Sequence, residues 1–451
     1  MSFRKDISLN ELAAVGNVAQ FVSFNPANPS SSEFCRIVGY EPNHRFETPH
    51  DALSALLRNS PEGTINLRSF TPESPRSKDF YYGLSDVNEA EQLLKRLSIL
   101  GLFVIANETV DVHDGGVSGV YQGGVAEFAP DDTPRCVEKD GTASLPIDWA
   151  KKAFNIVYGF EPDTVDAGTG RLEFSIHPKL RGWRRTHTLM WEYEASNSAP
   201  ALAAPKWPNR FSRHIGDKTY GLLIAHIIGL PVPRTLCIAR RVAPFSFGEE
   251  TGSKEIWTRT CPVEQEPGKF TTTKGWLDPF ALMAKEDPAG TAIASVLCQH
   301  AVHAEFSGAA ITDANGDLVV EGAKGEGDQF MLGVRPPERL PGKILADIKQ
   351  LFETVHKILG PVRFEWVHDG VKVWIVQLHK GATDGAASTL VPGDASRWES
   401  FEASSGLEAL RNFLEKLPND VGVDIHGEVG LTSHFADLLR KKRRPARINV
   451  Q

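Results

Sequence analysis

The chain of 451 residues has no apolar run approaching the roughly 18 residues that a membrane-spanning helix needs. Its start, Met1-Ser2-Phe3-Arg4-Lys5-Asp6, lacks the apolar core of a signal peptide. Cysteine is scarce. The five that occur, Cys35, Cys136, Cys237, Cys261 and Cys298, are odd in number and show no C-x-x-C spacing, which excludes a disulfide framework and a zinc ribbon. A cytoplasmic protein with free thiols, no membrane partner and no zinc is expected. An excess of positive charge is also missing, because 57 Asp and Glu outnumber 49 Lys and Arg for a net charge of −8. General nucleic-acid binding is therefore not expected. The one local exception is Arg440-Lys441-Lys442-Arg443-Arg444, either a solvated helix face or a local contact. What remains is an ordinary globular composition, 41% hydrophobic and 24% charged, at a length that implies roughly three domains.

The richest stretch runs from Arg363 to His379. Val362, Phe364 and Trp366 alternate with polar residues, Asp369-Gly370 signals a tight turn, and Val371, Val373 and Ile375 resume the alternation, so a two-stranded ribbon is predicted. It carries Glu365 on the first strand and Gln377 on the second. A carboxylate and an amide oxygen on adjacent strands are the hard-oxygen pair that Mg²⁺ favours when it bridges nucleotide phosphates. Most such hairpins, taken alone, are only edges of sheets.

Upstream, Leu222, Leu223, Ala225, His226 and Ile227 form an apolar helical face that ends at Gly229. Lys218 of Gly216-Asp217-Lys218 stands at the start of that helix, where an ammonium and the helix dipole together favour phosphate. Ile256 to Pro262 reads as a strand bearing Arg259, and Pro267-Gly268-Lys269 as a loop. His300 and His303 follow in an alternating strand, with no third residue at metal-ligand spacing. After a turn at Asn315-Gly316 comes V-V-E-G-A-K-G-E-G-D-Q-F-M-L-G, with Glu321 and glycines at 322, 325, 327 and 333.

In this order the pieces resemble the ATP-grasp nucleotide-binding domain of the pyruvate phosphate dikinase and phosphoenolpyruvate synthase family, over roughly residues 205 to 380. The resemblance implies an α+β fold with ATP and Mg²⁺ as cofactors. Lys218 and Arg259 would contact phosphate, and Glu321, Gly325 and Gly327 would belong to the nucleotide loop. Glu365 and Gln377 would hold the metal. His379 stands where the family usually has Arg, and a histidine supplies neither the permanent charge nor the fork of a guanidinium.

The first 200 residues echo this region. I-N-L-R-S-F-T-P parallels I-W-T-R-T-C-P, and R-L-E-F-S-I-H parallels R-F-E-W-V-H, with offsets of 191 residues for Arg68 and Arg259 and 192 for Glu173 and Glu365. Two tandem ATP-grasp-like copies are expected, the first degenerate. It keeps Arg68, Glu127 and Glu173 but shows no Gly-x-Lys, and K-L-R-G-W-R-R (Lys179 to Arg185) stands in for its second ribbon strand. This copy is either scaffold or a candidate second site near Arg68, Glu173, Arg181, Arg184 and Arg185, suited to an anionic acceptor.

Residues 381–405 read as a polar linker, and 406–451 as a small α/β segment. Thr432-Ser433-His434-x-Ala436, with Arg440 and Pro445-Ala446, resembles the phosphohistidine motif of the same family. A histidine at a helix start presents a neutral nucleophile and a dipole favourable to phosphate, with Thr432 as the cap. Otherwise it is an ordinary cap with a surface histidine. The family's barrel for pyruvate chemistry has no counterpart in these residues, so pyruvate chemistry is not expected of this chain alone. Three readings stand. One is a dikinase-type phosphotransferase that cuts ATP to AMP and relays phosphate through His434 to an unidentified small-molecule or protein acceptor. The second is an ATP-grasp ligase that makes an acyl phosphate. The third is a non-catalytic nucleotide sensor.

Overall fold

The computed structural model describes residues 4–74, 76–163, 170–195, 201–264, 269–327, 337–383, 385, 389–427 and 429–449. Pro75, Pro267, Gly268, Gly333 and part of the 381–405 stretch lie outside them. The architecture is α+β, and the chain divides into Met1–Ala204 and Pro205–Gln451. Among the described residues no helix is long and apolar enough to cross a membrane.

The first unit opens with α1 (Lys5–Val15), β1 (Phe21–Phe24), β2 (Ser32–Arg36) and α2 (Pro49–Asn59), followed by β3 (Ile65–Phe70), β4 (Phe80–Leu84), α3 (Val87–Ile99) and β5 (Phe103–Glu108). Its five strands pair in the order β2-β1-β5-β3-β4, all antiparallel. The amphipathic faces of α2 and α3, with Leu53, Leu56, Leu94 and Leu97, close a core against Val22, Leu67 and Val104. A second sheet has the order β10-β9-β6-β7-β8, from β6 (Val117–Gln122), β7 (Val125–Pro130), β8 (Ala143–Pro146), β9 (Arg171–Arg181) and β10 (Thr186–Glu194). Helix α4 (Ile147–Tyr158) connects β8 to β9. Inside this unit Ser175 Oγ lies 2.8 Å from His177 Nε2, and His177 Nδ1 lies 3.0 Å from Asp114. The triad-like chain is closed to any substrate, because Ser175 and His177 are buried.

The second unit begins with α5 (Arg210–Ile215) and α6 (Asp217–Ile227). Its first sheet is β12-β11-β15-β13-β14, built from β11 (Thr235–Ala239), β12 (Phe245–Phe247), β13 (Ile256–Pro262), β14 (Thr272–Lys274) and β15 (Ile293–His300), with α7 (Pro279–Glu286) before β15. The strand predicted through His303 stops at His300, and His303 falls in the connection to β16. The next sheet is β17-β16-β18-β19, from β16 (Phe306–Thr312), β17 (Leu318–Lys324), β18 (Val362–His368) and β19 (Val373–Lys380). Helix α8 (Gly342–Leu359) precedes β18, and the predicted ribbon is β18–β19, turning with Gly370 at φ +90°.

Helix α6 is buried almost all round, so it lies as a filling element rather than a surface helix. It reaches β19 closely because residue 221 is glycine: a Cβ there would stand 2.0 Å from the Leu378 carbonyl oxygen. Gly216, at φ +92°, starts the helix where a Cβ would meet Cys261 and Ser295 at 2.7 Å.

The C-terminal part corrects the sequence expectation. Residues 381–405 contribute two strands, β20 (Thr389–Val391) and β21 (Arg397–Glu402), to a sheet of order β20-β23-β22-β21 with β22 (Val421–His426) and β23 (Ala446–Asn449). Here β21, β22 and β23 run parallel, covered by α9 (Leu407–Lys416) and α10 (His434–Lys441). The compositional reading missed β20 because it is only three residues long and runs into Pro392-Gly393, and β21 because most of its residues are polar.

Candidate functional site

In the second unit one cleft of about 810 Å³ is lined by α6, β13, β18, β19 and α10. Lys218, Arg259, Glu365, Gln377, His379 and His434 all face it. The alternation of β18 explains the choice. Val362, Phe364, Trp366 and His368 are buried on one face, which turns Arg363 and Glu365 to the other. Across the ribbon Glu365 pairs with Gln377 and Arg363 with His379. A bulge follows, leaving Val376 unpaired between Glu365/Gln377 and Trp366/Ile375. Its carbonyl accepts a hydrogen bond of 3.1 Å from Arg259 Nη1, which ties the two sheets together at the cleft.

The electrostatics favour an ionised Glu365. Burial opposes the charge, but Arg259, His434, Arg363 and Lys218 outweigh it and hold the carboxyl below its ordinary value. Burial lowers the Lys218 ammonium, with Cys261 and Glu365 opposing and Arg259 reinforcing the shift. His379 is pushed down to about 4, first by burial and then by Arg363. It is therefore neutral at pH 7, and its Nε2 lies 2.6 Å from the Gln377 amide nitrogen. With the ring nitrogen accepting, the Gln377 NH₂ is engaged and its carbonyl oxygen remains available to a cation. His379 thus orients the Gln377 amide.

The lowered value of His379 makes stability depend on pH. A folded-state value near 4 against about 6.5 when unfolded means that the unfolded chain binds more protons between these limits. The stabilisation is complete above about pH 6.5 and is lost as pH falls toward 4. A His379→Gln variant should lose part of this dependence, as melting temperatures recorded across that window will show. Parallel wild-type and variant curves would refute it.

His434 begins α10, whose N-cap is Ser433, not Thr432; the Ser433 hydroxyl accepts from Ala436 N at 3.4 Å. Thr432 is engaged elsewhere. Glu321, expected at the nucleotide loop, accepts from Leu431 N at 2.9 Å, Thr432 N at 2.8 Å and Thr432 Oγ1 at 2.6 Å. It anchors the histidine-bearing segment to the sheet and does not line the cleft. Gly325 and Gly327 stand beside Ser307, whose hydroxyl bonds the Gly325 carbonyl at 2.5 Å, and they too lie off the cleft. Asp437 joins the parts: Arg363 bonds it, Arg440 Nη1 reaches it at 3.1 Å, and His434 Nδ1 lies 3.6 Å away. Sequence reasoning missed Arg363 and Asp437. Their signals were present, two residues before Glu365 on one strand face and three after His434 on one helix face.

In the basic run, Arg440 also bonds the Leu431 carbonyl, while Arg444 is buried on Pro418 O and Leu417 O. Two of its five cations are thus internal braces.

In the first unit the arginines of Lys179–Arg185 do not replace a strand, since β10 supplies the second ribbon strand. The turn of that ribbon lies at Gly182–Arg185, roughly 25 Å along the strand from Glu173. Arg184 there bonds the Ala13 and Ala14 carbonyls at the end of α1, Arg185 takes φ +52°, and Arg181 is buried against Glu62 and Asp114. Arg184 and Arg185 therefore do not join Arg68 and Glu173.

Among the described residues no group of three or more His, Cys, Asp or Glu is arranged to hold a metal ion. The oxygen donors Glu365 and Gln377 nonetheless fit Mg²⁺, which takes one or two protein ligands and completes its shell with phosphate and water.

No family model matches the chain, and no curated protein matches it. Among solved structures it is similar to the D-alanine–D-alanine ligase of Helicobacter pylori, with 11% identity over 38% of this chain and 52% of that one at a TM-score of 0.26. It is likewise similar to the D-alanine–D-alanine ligase of Bacillus anthracis complexed with ATP, with 10% identity, 36% and 55% coverage and a TM-score of 0.24. A RimK domain ATP-grasp protein of Sphaerobacter thermophilus gives 14% identity, 51% and 68% coverage and a TM-score of 0.24. The chain spans about half the length of the two ligases. At these scores the likeness carries no weight, and the reading of the site rests on its own geometry.

Proposed function

We propose that the second unit is an ATP-grasp-like magnesium-nucleotide site and that the chain is an ATP-dependent enzyme, transferring a phosphoryl group from ATP to a bound carboxylate in the manner of a ligase. One observation carries the reading: Lys218, Arg259, Glu365 and Gln377, from four elements, line a single cleft. Lys218 and Arg259 hold phosphate oxygens as charge-assisted donors. Glu365, kept ionised by its cationic neighbours, and Gln377, oriented by His379, would hold Mg²⁺, which when bound offsets phosphate charge. Arg213 at the wall suits an anionic acceptor, placed for in-line attack on the γ-phosphorus with ADP departing.

A phosphohistidine is the second reading, favoured by the position of His434 on the same wall. The relay version needs a histidine that travels, whereas Glu321 and Arg363 tie its segment to the sheet that carries Glu365. Chemistry in place on a bound acceptor fits that anchoring better.

ATP labelled separately at the β and γ positions, incubated with Mg²⁺, a panel of carboxylic acids and hydroxylamine, distinguishes the two readings. The expected products are ADP and hydroxamate, with His434→Ala within about tenfold of the wild type, since it removes no phosphate ligand. AMP with acid-labile β-label on His434 would overturn the ligase reading and establish the second.

A further inference from the structure

The first unit repeats the strand orders and pairing registers that carry the cleft residues of the second. Its first sheet, β2-β1-β5-β3-β4, has the order of β12-β11-β15-β13-β14, and β7-β6-β9-β10 has the order of β17-β16-β18-β19. Registers agree as well as orders. Arg68 sits opposite Ile105 and Phe80, as Arg259 sits opposite Leu297 and Thr272. Across the second sheet one row reads Glu127, Val120, Glu173, Glu192, and its equivalent reads Glu321, Ala309, Glu365, Gln377. The counterpart of Gln377 is thus Glu192, a second carboxylate. The bulge recurs too, leaving Trp191 between Glu173/Glu192 and Phe174/Met190 as Val376 is left in the other ribbon. A bulge at the same step beside the equivalent cross-strand pair re-aims the equivalent two side chains.

The missing lysine is Lys5. It opens α1, which packs against β10 as α6 packs against β19, and its Nζ lies 4.0 Å from Glu192. Lys5 and Lys218 are 213 residues apart, close to the 214 that separate Val22 and Leu236 at matching register positions. Beyond α2, which has no counterpart in the second unit, the separation falls to 191 for Arg68 and Arg259.

The charges at this place are not fully answered from within. Lys5, Arg68, Glu173 and Glu192 are all half-buried. Arg68 lies within electrostatic reach of Glu192 and Glu173, yet its Nε is buried with no hydrogen-bond partner among the described residues, as is that of Arg259. Arg171, the register counterpart of Arg363, instead bonds Glu173 at 2.7 Å. Phosphate oxygens would give the two cations acceptors, and a divalent cation would answer the paired carboxylates. We propose that Lys5, Arg68, Glu173 and Glu192 form a second binding site in the first unit, for a magnesium-complexed nucleoside polyphosphate. The ligand class rests on the reading of the second unit; the site itself rests on the register.

The test counts nucleotides. Full-length protein is titrated calorimetrically with a β,γ-imido analogue of ATP in excess Mg²⁺, and two molecules should bind per chain. Arg68→Ala, and separately the isosteric Glu173→Gln and Lys5→Ala, should each reduce the count to one with an unchanged melting temperature. Lys218→Ala should independently remove the other. A single site lost with Lys218→Ala and kept in all three first-unit variants overturns this inference and spares the proposed function. A single site lost only with the first-unit variants supports the inference and sinks the other reading. A count of two that the first-unit variants leave unchanged also overturns the inference, and no binding at all overturns both.

Discussion

Lys218→Ala should weaken magnesium-nucleotide binding in the second unit by roughly 100-fold and abolish detectable ATP turnover. The ammonium is half-buried at the first turn of α6, beside Arg259 and Glu365. A charge-assisted contact to phosphate in such a place is worth about 3 kcal/mol, and each 1.4 kcal/mol is a factor of ten. Glu365→Gln should act differently, because it keeps size and removes charge. It should raise the Mg²⁺ concentration needed for half-maximal binding more than it lowers affinity at saturating metal. Titration of the nucleotide analogue at several Mg²⁺ concentrations separates the two effects. Wild-type binding in Lys218→Ala, or the same loss at every Mg²⁺ concentration in Glu365→Gln, would contradict the assigned roles.

Asp437→Ala should be the most destabilising single change in the C-terminal part, by about 3–5 kcal/mol, since it strips the anion from between two guanidinium groups. Arg363 and Arg440 both bond Asp437, and all three side chains are mostly withdrawn from solvent. For a folding unit of this size the melting temperature would fall by roughly 10 °C. The effect carries a sign in pH. Burial opposes the Asp437 charge, but Arg363 and His434 override it and hold the carboxyl far below the ordinary carboxylate range. Its stabilisation is therefore complete above about pH 4 and is lost as pH falls below that. Wild type and variant should converge in acid and diverge toward neutrality. A constant gap down to pH 2 would show that the loss is packing and not charge.

The ribbon bearing Glu365 and Gln377 was legible because strand alternation and the Asp369-Gly370 turn are local signals. The helix of Lys218 was legible for the same reason, with its apolar residues at helical spacing and Gly229 to end it. What stayed hidden depends on register over long separations. Glu192 was missed because the first ribbon is longer than the second, which shifts its second strand out of the constant offset. Lys5 was missed because α2 intervenes between it and Arg68. Glu321 has the residue type of a nucleotide contact, and only the fold shows that Leu431 and Thr432 occupy its oxygens. The 381–405 stretch has the composition of a linker, yet β20 and β21 gain their order from pairing with β23 and β22 far along the chain.

The most direct measurement is photolabelling of the intact protein with an azido-ATP and Mg²⁺, followed by mapping of the modified peptides. Label is expected on segments around 256–262 and 362–380, lost on addition of excess ATP and in Lys218→Ala. Absence of label from both segments, or label there that Lys218→Ala leaves intact, would contradict a nucleotide site in the cleft.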